Sequence, residues 1–151
     1  MNIASILATK GGQVFTVRPE QTVRHALGVL AEHNVGALVT IDGDGQPVGI
    51  VSERDIVRHL ARNEKLLSEP VASIMTRDVI VGSSQDDLVS VGYTMVERRI
   101  RHLPIVDRGK LIGIVSIGDI VKAQRDQLEG EVDTLQVQLI ESQREGKVFK
   151  H

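Results

Sequence analysis

The feature that most constrains the fold is an internal repeat. Residues 49–57 read GIVSERDIV and residues 113–121 read GIVSIGDIV, so seven of nine positions are identical at an offset of 64. Residues 3–7 (IASIL) recur in the same way as residues 71–75 (VASIM). A repeat of this length indicates two copies of one supersecondary unit that bury a core together.

Each copy is predicted to contain a short leading helix followed by a β-α-β-β-α unit. The helical segments carry apolar residues three and four positions apart, and Gly-containing turns separate the last two strands. In the first copy the predicted elements are Ala4–Leu7, Val14–Val17, Thr22–His33, Ala37–Ile41, Val48–Val51 and a helix that opens after Ser52. In the second copy they are Ala72–Met75, Val79–Val81, Asp86–Arg98, Leu103–Val106, Leu111–Val115 and a helix that opens after Ser116. Because a unit of about 60 residues buries little surface alone, the two are expected to pack sheet to sheet around one core, in a mixed α/β (α+β) fold.

The expected division is residues 1–63 for the first repeat, 64–125 for the second and 126–151 for a helical tail. The tail carries apolar residues at spacings of 4, 3 and 4, which is typical of a coiled-coil seam: Leu128, Val132, Leu135 and Leu139. The seam covers less than two heptads and contains Gly130, which costs about 1 kcal/mol within a helix. We therefore expect a helix to about Gln143 that docks on its own module or on a second copy, with a frayed end at Glu145–His151.

Composition excludes several classes of protein. The chain has 151 residues and a net charge of −2, which argues against a polycationic nucleic-acid binder. Its three aromatic residues, Phe15, Tyr93 and Phe149, are too few for a base-stacking platform. Without cysteine there are no disulfides or thiolate metal sites, and no apolar run approaches the ~20 residues that span a bilayer. We expect a soluble cytoplasmic protein without a signal peptide, and no partnership with a membrane.

The repeated Gly-Ile-Val-Ser-x-x-Asp has two interpretations. Ser52 with Asp55, and Ser116 with Asp119, have the spacing of a helix capping box, which needs no ligand. The same geometry suits a ligand, since free amides at a helix N-terminus favour an anion and a carboxylate accepts hydrogen bonds from the two hydroxyls of a ribose. Duplication at both strand–helix junctions favours ligand binding, because ligands bind at the carboxyl ends of strands in such sheets.

These repeats closely resemble a CBS-domain pair, also called a Bateman module. Residues 101–107, RHLPIVD, are similar to the central strand of that family, and the resemblance covers residues 1 to about 125. It implies a regulatory protein that binds AMP, ADP, ATP, S-adenosylmethionine or an NAD-type ligand between the repeats. AMP is the ligand most expected, with NAD or ATP as alternatives, and no catalytic cofactor is implied. A homodimer and an unidentified effector protein are the expected partners.

The resemblance also implies two ligand sites. In the second unit, Asp119 and Ser116 would meet the ribose, Ile114 would flank the adenine, the backbone near Val14, Phe15 and Thr16 would contact the adenine edge, and Arg101 and His102 would reach a phosphate. In the first unit the corresponding residues are Asp55, Ser52, Ile50 and Arg54, with the backbone around Val79 and Ile80. Because Gly36 and Ala37 stand where the second unit has Arg101 and His102, we expect the second-unit site to be preferred.

Other interpretations remain open at this point. The basic run at residues 98–102 (RRIRH) is typical of a solvated helix end, of a phosphate cradle or, less well given the net charge, of a nucleic-acid contact. The five histidines lack metal-ligand spacing, so no metal site is expected. No nucleophile elbow or P-loop is present, so no catalytic residues are expected and the chain is not predicted to be an enzyme. The alternative function is a ligand-free interaction module that acts through dimerisation and its tail.

Overall fold

Two similar halves and one long helix make up the protein. The computed structural model describes residues 1–149. The first half contains α1 (Ile3–Lys10), β1 (Thr16–Val17), α2 (Val23–His33), β2 (Ala37–Ile41), β3 (Pro47–Ser52) and α3 (Glu53–Leu60). The second half contains 3₁₀ helices at Leu66–Ser68 and Val71–Ser73, then α4 (Leu88–Arg98), β4 (His102–Asp107), β5 (Lys110–Ser116) and α5 (Ile117–Phe149). The repeated, mixed α+β architecture is as the sequence predicts.

The central helix of each half begins and ends in the same way. The Thr22 side chain accepts a hydrogen bond from His25 N at the start of α2, and the Asp87 side chain accepts one from Ser90 N at the start of α4. Both helices end at a left-handed residue, Asn34 at φ 51° and Arg99 at φ 56°. A side-chain cap followed by a left-handed stop gives two helices of equal length, 11 residues each.

The two sheets differ by one strand. In the first half β1 pairs in parallel with β2, and β2 pairs antiparallel with β3. In the second half β4 pairs antiparallel with β5, and the strand predicted at Val79–Val81 is absent from the described chain, where only Gly82 bridges to Ile105. The prediction was wrong because pairing with β4 is limited to Gly82, which bonds Pro104 O and Val106 N, and directly after it the chain turns as Ser83 and Ser84 donate hydrogen bonds to Asp107. The predicted helix at Ala72–Met75 is likewise only a 3₁₀ turn at Val71–Ser73.

The leading segments of the two halves are exchanged. Ile3 and Ile6 of α1 are buried in the cluster formed by α4, β4 and β5, whereas Val71, Ile74 and Met75 are buried in the cluster formed by α2, β2 and β3. The buried side chains therefore form two clusters and not the single shared core expected from the sequence. Because each cluster is completed by a segment of the other half, the halves are held together by their own hydrophobic cores.

Only the start of α5 packs on the body of the protein. Ile120 is 1% exposed and belongs to the second cluster. The seam residues beyond it are 50–63% exposed: Leu128, Val132, Leu135 and Leu139. Docking of the tail on its own module is wrong, because α5 continues as one helix past Gly130 with these seam residues exposed, and docking on a second copy stays a prediction. The helix extends beyond the expected Gln143 to Phe149, the fraying expected at Glu145–His151 stays a prediction, and Lys150 and His151 lie outside the described residues. No helix within residues 1–149 has both the length and the apolar character needed to cross a bilayer.

Candidate functional site

The second-unit motif forms a capping arrangement at the start of α5. Ser116 N donates a hydrogen bond to Asp119 Oδ2 at 2.8 Å, and Asp119 N donates one to Ser116 Oγ at 3.0 Å. This is the reciprocal pattern that the capping interpretation predicts, and it fixes the carboxylate and the hydroxyl side by side at the end of β5. The same arrangement presents two hydrogen-bonding oxygens at the carboxyl end of a strand.

A lysine from the other half of the molecule reaches this carboxylate. Lys10 Nζ donates hydrogen bonds to Asp119 Oδ2 at 2.6 Å and to Ile114 O at 2.9 Å. Burial alone would raise the pKa of Asp119, but the hydrogen bonds from Lys10 and Ser116 outweigh it and hold that pKa below its ordinary value. Asp119 is therefore an anion at neutral pH, paired with an ammonium group from the end of α1.

Arg101 and His102 lie beside this pair. His102 is opposite Ser116 in the β4–β5 register, and Ile117 N donates to Arg101 O at 2.9 Å. His102 Nε2 lies 3.6 Å from where a Cβ on Gly36 would be, so the ring faces the first half. Burial and, secondly, the charge of Lys10 lower the pKa of His102, although Asp119 and Glu53 act in the opposite sense. His102 is thus neutral at pH 7, and the positive charges here belong to Lys10 and Arg101.

The segment after α1 runs along β5. Lys10 contacts Ile114 O, and a Cβ on Gly12 would lie only 2.9 Å from Ile112 O, so only glycine lets the two backbones approach this closely. Val14 and Thr16 then line an open groove of about 450 Å³ with Gly109, Lys110 and Leu111. Phe15 points the other way and stacks on His33, with ring centroids 3.6 Å apart, so only its backbone is available on the β5 side.

Not all of the predicted second-unit residues share one cavity. Ile114, Ser116 and Asp119 are gathered around the Lys10 ammonium, whose charge acts on His102, and Arg101 is next to His102 in the chain. Val14 and Thr16 line a groove further along β5, near the turn between β4 and β5. None of those five residues lines this groove. The predicted residues therefore occupy two adjoining stretches of one cleft wall, with Gly12 between them.

The first-unit motif has the same cap but a different neighbour. Ser52 N and Ser52 Oγ both donate to Asp55 Oδ2 at 2.9 Å, and Asp55 N donates to Ser52 Oγ at 3.2 Å. Ile50 O accepts a hydrogen bond from Thr76 N at 2.9 Å, and Ile50 N donates to Thr76 O at 3.0 Å. In the second unit a lysine side chain donates to Ile114 O, whereas in the first unit a backbone amide donates to the corresponding Ile50 O.

The remaining first-unit candidates do not join this cluster. Arg54 is exposed, and within residues 1–149 it makes no ion pair or side-chain hydrogen bond. The backbone that pairs with Ile50 is Thr76, not Val79 or Ile80, and the Ile80 side chain packs against the second hydrophobic cluster. This stretch leads instead to β4 of the second half, since Gly82 directly after it pairs with Ile105.

Three residues of the site were not predicted from the sequence: Lys10, Glu53 and Thr76. Lys10 had a visible signal, because the connection after the leading helix is three residues longer in the first unit and reads Lys-Gly-Gly. Across residues 1–149, no three histidine or acidic side chains are grouped closely enough to hold a metal ion.

Comparison with known proteins identifies the family. The CBS domain family matches residues 4–62 and 71–126. The chain belongs to the CBS domain family. Its fold is similar to the CBS-domain protein ATU1752 from Agrobacterium tumefaciens, with a TM-score of 0.78 and 36% identity, over 82% of this chain and 99% of that one.

Two similar CBS structures contain adenosine derivatives. PAE2072 from Pyrobaculum aerophilum, in complex with AMP, has a TM-score of 0.70 and 29% identity over 79% of this chain and 89% of that one. The CBS pair of MJ0100, in complex with 5′-methylthioadenosine and S-adenosylmethionine, has a TM-score of 0.75 and 27% identity over 84% and 98%. These proteins share the CBS-pair fold and bind ligands that contain adenosine.

Proposed function

We propose that this protein is a regulatory CBS pair, and not an enzyme, that binds an adenosyl ligand beside Asp119 in the second-unit cleft. The observation that carries the proposal is the Asp119 carboxylate, fixed next to Ser116 at the end of β5 and paired with the ammonium group of Lys10. A carboxylate of this kind accepts hydrogen bonds from the two hydroxyls of a ribose. The adenosine-containing ligands of two similar structures support the choice of ligand class.

The second-unit cleft is the preferred site because of its charge. The charge of Lys10, together with that of Arg101 next to His102, favours a phosphate on the ligand. Ile114 is placed to flank the adenine, with the backbone of Val14, Phe15 and Thr16 at its edge. In the first-unit cleft, Asp55, Ser52, Ile50 and Arg54 provide the corresponding groups, with the backbone near Val79 and Ile80 further away.

The proposed ligand is AMP, with ADP, ATP or an NAD-type molecule as alternatives. Thermal unfolding in the presence of AMP, ADP, ATP, NAD, NADH and S-adenosylmethionine tests this. A ligand at 100 times its dissociation constant adds about 2.7 kcal/mol, which raises the midpoint by roughly 5–10 °C for a domain of this size. We expect a rise with AMP that disappears in Asp119→Ala and remains in Asp55→Ala. No rise with any ligand, together with flat calorimetric titrations, would refute the proposal.

We further propose that the protein signals as a homodimer to an effector protein. Apolar side chains are exposed on α4, where Tyr93 is 71% and Val96 is 68% exposed, and along the α5 seam described above. Exposed apolar surface of this extent favours a second copy as its partner. Light scattering coupled to size-exclusion chromatography should give the mass of a dimer. A monomer at all concentrations would contradict this part of the proposal.

The exposed α5 seam also favours the alternative function, a ligand-free module that acts through its tail. The same thermal panel separates the two functions. An interaction module shows no ligand-dependent shift, and Asp119→Ala then lowers its stability without altering any binding.

A further inference from the structure

The second-unit cleft already contains a positively charged hydrogen-bond donor. Lys10 Nζ donates to Asp119 Oδ2 and to Ile114 O, at 2.6 and 2.9 Å. Within residues 1–145 the only hydrogen bonds to this carboxylate are those from Ser116 N and Lys10 Nζ, and both go to Oδ2, which leaves Oδ1 open. The two adjacent hydroxyls of a ribose need both carboxylate oxygens, and the two lone pairs of Oδ2 are already occupied. A ribose that binds Asp119 through both hydroxyls therefore competes with Lys10 for Oδ2.

The Lys10 side chain can move away from the strand, whereas its first-unit counterpart, the backbone amide of Thr76, cannot. The donor to Ile50 O is Thr76 N, a backbone amide fixed by two hydrogen bonds. The donor to Ile114 O is the end of a flexible side chain that is 37% exposed. Lys10 is also the last residue of α1, followed by Gly11 at φ 94° and by Gly12, which has no side chain to block its path. The lysine therefore has an alternative position without a change in the fold.

The cost of displacing Lys10 depends on the charge of the ligand. A neutral nucleoside takes Asp119 and leaves the ammonium without its carboxylate partner. A nucleotide supplies a phosphate to which the ammonium can transfer, and hydrogen bonds between two charged groups are the strong ones. His102 is the weaker partner for a phosphate, because burial and the charge of Lys10 lower the pKa of its imidazole.

We propose that Lys10 is the residue that selects charge at the second-unit cleft: it exchanges its partner Asp119 for a ligand phosphate, so that the cleft accepts phosphorylated adenosyl ligands and rejects neutral adenosine. This inference rests on the proposed function for the ligand class. The inference assigns to Lys10 the discrimination between AMP and adenosine, which differ only by the phosphate.

Calorimetric titration of AMP and of adenosine into the wild-type protein and Lys10→Met tests the inference. The methionine keeps the length of the side chain and removes its charge. We expect AMP binding to weaken about tenfold, the size of one charge-assisted hydrogen bond, and adenosine binding to become tighter. Lys10→Arg should keep the preference for AMP. Lys65→Met, which removes an exposed lysine of the connecting segment, should leave both affinities unchanged.

The outcomes separate this inference from the proposed function. If AMP binds in an Asp119-dependent way but Lys10→Met leaves the ratio of the AMP and adenosine affinities unchanged, Lys10 does not select charge, and the proposed function stands. If the wild-type protein binds neither compound, this inference fails, and the thermal panel with the other ligands decides the proposed function separately. Titration of Asp119 by nuclear magnetic resonance gives a further readout without nucleotide: its pKa should rise in Lys10→Met, and an unchanged pKa would show that the two groups do not interact.

Discussion

The two halves of this protein have the same helix cap, but the groups around the cap differ in charge. In the first, among residues 1–145, only groups of Ser52 donate to the carboxylate of Asp55, and the backbone of Thr76 pairs with that of Ile50. In the second, Lys10 spans from the other half to Asp119, next to Arg101 and His102. Duplication thus preserved the local structure that ends a strand and starts a helix, while residues outside the motif gave each copy a different charge. The predictions below test this contrast, beginning with the exchange of leading segments that holds the halves together.

Ile3→Ala should have the largest effect. Ile3 is fully buried in the cluster of the second half, and removing a buried isoleucine to this extent costs about 2–5 kcal/mol. Ile3 belongs to the first half in sequence but packs in the core of the second half. Its loss should therefore unfold the second half together with the first. Urea unfolding followed by circular dichroism and by fluorescence of Tyr93, the only tyrosine, should give coincident transitions. Leu135→Ala, at a 63% exposed position, is the control, and an equal effect there would contradict the assignment.

The motif glycines should differ in their tolerance of alanine. A Cβ on Gly49 would lie 2.5 Å from Thr40 Oγ1 and 2.7 Å from Met75 Sδ, both of which belong to buried residues. On Gly113 it would meet the tip of Leu7, at 2.6 Å from Cδ2, and that flexible end can shift. Overpacking costs about 1–3 kcal/mol, and we expect Gly49→Ala near the upper end and Gly113→Ala near the lower end. Chemical denaturation measures both, and the reverse order would show that the second half is the more tightly packed.

Removing each of the two carboxylates should lower the stability of the protein, and the costs in the two copies should differ by a smaller amount. Asp55→Ala removes hydrogen bonds to Ser52, for a cost of about 1 kcal/mol. Asp119→Ala removes its bond from Ser116 and also leaves Lys10 without a carboxylate, so its cost should be about 1–2 kcal/mol after solvent screening of the exposed lysine. In the Lys10→Met background the difference between the two substitutions should disappear. If it persists, Lys10 contributes nothing to the stability of the second half.

The sequence predicted the repeated parts of the fold and missed what lies between them. The motif strands and helices were predictable because Ser52, Asp55, Ser116 and Asp119 specify their own caps locally. The strand expected at Val79–Val81 and the single shared core were not, because both depend on contacts distant in sequence: Asp107 with Ser83 and Ser84, and α1 with the opposite half. Lys10 was missed for the same reason, since its partner lies 109 residues away.

The smallest effect should appear in the pH dependence of stability. The pKa of His102 is lowered in the folded protein by burial and by Lys10, so the unfolded chain binds the proton more readily. The contribution of His102 to stability is therefore complete above its ordinary pKa of about 6.5 and is lost as the pH falls below it. His102→Gln should reduce the slope of stability against pH just below the ordinary histidine pKa of about 6.5. His59→Gln, on the exposed side of α3, is the matched control, and an unchanged slope in His102→Gln would contradict this account.

The central claim is that the two copies of one motif are not equivalent as ligand sites. Calorimetric titration with AMP, in the wild-type protein and in Asp119→Ala and Asp55→Ala, tests it most directly. We predict that high-affinity binding saturates at one AMP per chain, is abolished by Asp119→Ala and is retained in Asp55→Ala. Binding that survives Asp119→Ala and is lost in Asp55→Ala would place the nucleotide in the first-unit cleft and contradict the account.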